Sequence, residues 1–228
     1  MARSNNKPEI PARFFLECVK EHSGCPILLR TDCGTENGIM ATMQCFVRQD
    51  ANDEFAGEKA HKYGSSPSNQ RIECWWSSFR RGRASWWIDM FKDMVDSGLF
   101  DLGNTLHMEC IWFCFHGVLQ DDLDIVRLHW NTHRIRSSRH GTVPGIPDVL
   151  YHLPGQSGGI NCMVSLSQEK IQEMNLYLDG QENQDDNDDQ YLYQEYFHYV
   201  METGGFSYPE THAEAFNLFT RLIGIANS

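Results

Sequence analysis

The sequence predicts an α/β fold that is largely helical and closes with a helical, acidic C-terminal extension. Three observations predict it. A short apolar run, Pro26-Ile-Leu-Leu29, reads as a buried strand. From Ile72 to Met94 apolar residues recur at three- and four-residue spacing, the pattern of a helix with one buried face. Acidity is concentrated behind residue 155: residues 1–155 hold 17 Lys and Arg against 19 Asp and Glu, and residues 156–228 hold 2 against 12. The front of the chain is therefore close to neutral, and the rear carries most of the formal net charge of −12.

The 228 residues are 41% hydrophobic and 12% aromatic, enough to bury a sizeable core. No run of about 18 apolar residues is present, which argues against a membrane span. Met1-Ala-Arg-Ser-Asn-Asn-Lys-Pro8 has no apolar signal region, which argues against secretion and leaves the nucleus or cytoplasm. Eight cysteines contain no C-x-x-C pair. They read as free, buried thiols of a reducing compartment rather than as disulfides or a zinc finger.

Taken in order, Ile10 to His22 is an amphipathic helix with Phe14, Phe15, Cys18 and Val19 on one face, ended by Ser23-Gly24. The strand at Pro26–Leu29 leads to a lone acid, Asp32, after which the chain turns through Gly34 and Gly38. An acid at a strand tip suits a metal or phosphate site, and equally a cap for the next turn. Ile39 to Arg48 forms a second helix, followed by a loop with Asn52, Gly57 and Gly64. Ser65-Ser-Pro-Ser-Asn-Gln-Arg-Ile-Glu73 then opens the long helical segment, which stops near Ser97-Gly98. On this helix Ile72, Trp76 and Phe79 turn inward, and Trp75, Trp86 and Trp87 join the core. Glu73 shares a side with Ser77 and Arg80 at 100° per residue. Arg80, Arg81 and Arg83 flank that side, which suits either DNA phosphates or a solvated basic face.

Thr105 to Val118 has the length of a buried helix, although its aromatic richness also permits a strand. Leu123 to Thr132 continues as an amphipathic helix. Arg134, Arg136 and Arg139 form a second basic cluster, fit for nucleic acid or for a capped helix end. A boundary is expected at Gly155–Gly159, and a short helix runs from Ser167 to Leu178. Gln181 to Gln190 is acidic and low in complexity. It lacks the central Gly and final Glu of a calcium loop and reads as a solvated linker. Tyr191–Met201 and Thr211–Ile225 close the chain as helices. The resulting segments are 1–155, an acidic linker at 156–190 and a helical extension at 191–228.

Three motifs together resemble the catalytic core of retroviral-type integrases and DDE transposases. Asp32, Gly34, Thr35 and Glu36 match a D-x-G-T-E-type motif. Ser66, Pro67, Asn69 and Glu73 match the helix that bears the family's last acid, with 40 residues between Asp32 and Glu73. His129-Trp-Asn-Thr-His-Arg-Ile-Arg136 and Gly145-Ile-Pro-Asp-Val-Leu-Tyr151 are similar to the segment that closes the core. The resemblance covers Ile10 to Pro154 and implies a ribonuclease-H-like fold. It implies polynucleotidyl transfer with Mg²⁺ or Mn²⁺ held by carboxylates, Asp32 and Glu73 being the second and third ligands. The family's first acid sits on a leading strand. Glu9, Glu17 and Glu21 are the acids upstream of Asp32, and none has a strand pattern. The expectation is therefore a core without its first strands, a truncated or domesticated remnant short of full activity. The alternative is a non-catalytic protein that binds DNA or another protein. The resemblance also implies DNA as partner, homo-oligomers and nuclear residence. The acidic tail suits a basic partner, or masks the chain's own basic face.

Overall fold

The computed structural model describes residues 1–2, 6–64, 70–137, 143–181 and 188–227. They pack as two compact units. One joins residues 2–75 to residues 153–183; the other joins Met1 and residues 76–152 to residues 184–228.

In the first unit, α1 (Glu9–His22) buries Ala12, Leu16 and Val19, a stripe at four- and three-residue spacing. This corrects the expected face: Val19 is inside, whereas Phe14 and Cys18 lie outside. Ser23 takes the left-handed conformation at the helix end, its N–H bonding back to Lys20 and Val19.

The single buried strand expected at Pro26–Leu29 is instead two short strands with different partners. β1 (Gly24–Pro26) pairs antiparallel with β4 (Met163–Ser165), in register Cys25 opposite Val164. β2 (Leu29–Thr31) pairs parallel with β3 (His61–Tyr63), in register Arg30 opposite Lys62. Pro26 has no N–H to extend a ladder, and the run divides there. β2 is also only half buried. The segment read as a plain loop before Gly64 contributes a 3₁₀ turn at Gly57–Ala60 as well as β3.

α2 (Gly38–Val47) and α7 (Gln168–Asp179) complete this unit. Ser167 caps α7, its hydroxyl accepting the Lys170 N–H at 3.3 Å, as the sequence suggested. Leu16, Val19, Cys25, Met43, Val47, Met174 and Leu178 form the core.

α3 (Gln70–Phe79) passes from the first unit into the second at Trp75–Trp76. A π turn at Arg80–Ala84 follows and leads into α4 (Ser85–Asp96). The π turn adds a residue to one turn and rotates everything beyond it, so one apolar stripe cannot run the whole length. Accordingly Trp86, beyond the turn and expected in the core, is 48% exposed; Ile72 and Trp76, before it and also expected inside, are 47% and 52% exposed. Trp87 and Met94 face inward.

α5 (Thr105–Thr132) is one continuous helix of 28 residues. Asn104 caps it, Oδ1 accepting from the Leu106 N–H at 2.9 Å. After it, Ile135 and Gly145 exchange backbone hydrogen bonds of 2.7 and 3.1 Å. Gly145 has φ of 152°, and a Cβ there would lie 3.0 Å from Leu150, so only glycine suits the bridge. α6 (Pro147–His152) follows.

α8 (Asp188–Gly204) and α9 (His212–Ala226) then pack on α5. Phe115, Phe197, Leu218, Phe219 and Leu222 form the centre of this second core. No described helix is long and apolar enough to cross a membrane. All eight cysteines are free, but only Cys25, Cys110 and Cys114 are buried; Cys18, Cys33, Cys74 and Cys162 are exposed.

Candidate active site and basic turns

Asp32 directly follows β2, and the turn after it is shaped around its carboxylate. Oδ1 accepts the Asn37 side-chain amide at 2.7 Å and the Gly34 N–H at 3.4 Å. Asn37 is only 9% exposed and closes the 3₁₀ turn Thr35–Asn37 that leads into α2. The Glu36 carboxylate folds over Gly34, where an added Cβ would lie 2.3 Å from it and the flexible Glu36 side chain would have to swing aside. The Thr31 hydroxyl donates to the Asp32 carbonyl at 3.0 Å and also meets His61 Nε2 at 3.0 Å. Burial pushes the His61 pKa below its ordinary value. His61 stacks edge-on against Tyr63, with ring centroids 4.6 Å apart. The strand tip is thus a small polar network with an outward-facing acid.

Glu73 lies in the first turn of α3 and is exposed. It belongs to the same compact unit as Asp32. Ser66, Pro67 and Asn69 of its motif lie outside the described residues, as does Arg139. No group of three or more His, Cys, Asp or Glu that could hold a metal is gathered among the described residues. A pair of divalent ions needs a carboxylate cluster, since hard cations take oxygen ligands and the ions share them. Those residues do not complete such a cluster.

The basic residues fall into two states. Arg80 and Arg81 sit exposed on the π turn and make no ion pair among the described residues. Arg83 on the same turn is occupied. Its Nη1 donates to Asp122 Oδ1 at 2.6 Å, and Trp87 Nε1 donates to Asp122 Oδ2 at 2.9 Å. Arg134 and Arg136 flank the Ile135 bridge and are exposed.

Asn37, His61 and Asp122 have no signature of their own in the sequence. Asn37 is five residues from its partner, and Asp122 is 39 from Arg83. Only folding brings Asp122 to its basic partner.

Residues 1–152 match the family described as integrase core domain. The chain belongs to the integrase core domain family. No curated protein and no solved structure matches it. The matched part of this integrase core domain contains Asp32 and Glu73, both basic turns, and the helix α5. It stops before β4, α7, α8 and α9. The core of each compact unit is therefore completed by residues beyond the match.

Proposed function

We infer that this integrase core domain serves an integrase- or transposase-like role on DNA, and that in this chain the role is DNA recognition rather than strand transfer. The observation that carries the reading is the family match over residues 1–152, which includes two exposed basic turns. Arg80 and Arg81 on one turn, with Arg134 and Arg136 on the other, supply the phosphate contacts. Asp32 and Glu73 are the positions of the family's acids. In integrase chemistry divalent ions, when bound, would activate the attacking hydroxyl and stabilise the negative charge on the leaving oxygen. Asp32 and Glu73 are two acids, and no step of a reaction is routed through a metal here. DNA-directed work implies nuclear residence.

The test is binding of a labelled DNA duplex over a range of salt, beside a nicking assay with Mg²⁺ or Mn²⁺. The reading expects affinity to fall steeply as salt rises, because each phosphate contact releases counterions. It also expects no metal-dependent nicking, and unchanged binding in Asp32→Asn and Glu73→Gln. Salt-independent binding removes the DNA reading. Nicking that is lost in either acid variant replaces recognition with catalysis.

A further inference from the structure

We propose that Asp122 is an internal competitor for phosphate, which withdraws Arg83 from the DNA-binding face and leaves Arg80 and Arg81 to carry it. The proposal rests on the DNA reading above and specifies which side chains of the π turn serve it.

Asp122 stands on α5 with its side chain 16% exposed, and both its oxygens are engaged. Arg83 holds one at 2.6 Å and Trp87 holds the other at 2.9 Å. The Trp87 ring is itself fixed: it stacks on Phe91 at 6.0 Å and meets Phe115 edge-on at 6.3 Å. The acceptor is thus held from the core side, and the guanidinium comes to it from the solvent side, where Arg83 is 52% exposed. Arg83 and Trp87 are four residues apart, one turn of helix, so both reach the same carboxylate from one helical run. Ser85 Oγ also donates to the Arg80 carbonyl at 2.7 Å, tying down the π turn.

A carboxylate offers a guanidinium the same paired oxygens that a phosphate does, with a similar charge-assisted hydrogen bond. While Asp122 occupies that edge, the pair has no net charge. A neutral pair has no counterion to displace from DNA and adds nothing to the salt dependence of binding. Arg80 and Arg81 carry full charge on the same turn and have no such partner among the described residues.

The experiment measures affinity of the full chain for a random-sequence DNA duplex from low to moderate salt. It compares wild type with R80A/R81A, R83A, D122N and D122N/R83A. The expected R80A/R81A protein binds more weakly, and its slope of log K against log salt is shallower by about 0.9 per arginine. R83A leaves Asp122 as an uncompensated anion beside this face and binds somewhat more weakly than wild type. D122N keeps a carbonyl oxygen for Trp87 but loses the anion, so Arg83 is released; binding tightens and the slope steepens by about 0.9. D122N/R83A returns to the wild-type slope. An unchanged cooperative thermal melt verifies that the D122N fold is intact.

Three results overturn the proposal while leaving the DNA reading in place: a D122N/R83A slope shallower than wild type, no gain in D122N, or a D122N gain that persists in D122N/R83A. The last would mean that only the loss of a negative charge mattered. An R80A/R81A protein that binds like wild type overturns the assignment of this face to DNA, and the proposal with it.

Discussion

At Asp32 a single carboxylate sets the shape of a turn. It is exposed on one side and bonded to a nearly buried amide on the other, so its removal strands the Asn37 donor. Asp32→Ala should lower stability by about 1–2 kcal/mol, the cost of leaving a buried polar group unpaired. Urea unfolding that shows no loss would mean that Asn37 finds another partner. His61 makes the same network sensitive to acid. Its folded pKa lies below the ordinary value of 6.5 because burial disfavours the charged ring. The unfolded chain then takes up a proton before the folded one does. The His61 contribution is therefore full above about pH 6.5 and is lost as pH falls through the depressed folded value. A thermal melt of wild type should weaken across that window, and His61→Gln should flatten this part of the profile. Parallel profiles for the two proteins would exclude His61 as the cause.

Among the elements, the long helices explain most of what the chain can tolerate. α5 contains an exposed glycine, Gly117, in its interior, and a Cβ there would meet nothing within 4 Å. Gly117→Ala should stabilise the protein by about 1 kcal/mol, since alanine loses less backbone entropy in a helix. A lower melting temperature would reveal crowding that the geometry does not contain. The π turn between α3 and α4 acts in the opposite sense to propensity. It breaks the regular stripe, yet it sets Arg83 and Trp87 on one side to share Asp122. A wide turn kept within a good helix is often tied to function, and here it carries the exposed Arg80 and Arg81.

For the whole molecule, the decisive feature is where the cores are completed. The family match ends at residue 152, but α8 and α9 cover α5 with Phe197, Leu218, Phe219 and Leu222. Removing residues 184–228 should therefore expose Phe115 and its neighbours and abolish the cooperative melt of this unit. Phe115→Ala, a milder version of the same injury, should cost about 3–5 kcal/mol. A truncated chain that still melts sharply would show that α5 finds its cover elsewhere. The acidic C-terminal part is thus more than an appendage: its last two helices are structural. Of the acidic run from Gln181 to Gln190, expected as a solvated linker, residues 182–187 lie outside the described residues and residues 188–190 already belong to α8.

Local rules were enough for much of this chain. The periodicity marked α1, α2 and the closing helices, Ser167 announced the cap of α7, and the D-x-G-T-E-type motif led to the family. These signals are short in range: helix pattern, capping and motif are all written within a few residues. What only the tertiary structure decided is whatever depends on partners distant in sequence. Pro26–Leu29 looked like one strand because an apolar run does not say which neighbour it will pair with. Trp86 looked buried because one inserted residue in a π turn is invisible to a regular spacing. Arg83 looked like its neighbours until α5 placed Asp122 against it. Charge and hydrophobicity are properties of a residue, but pairing and burial belong to the fold that surrounds it.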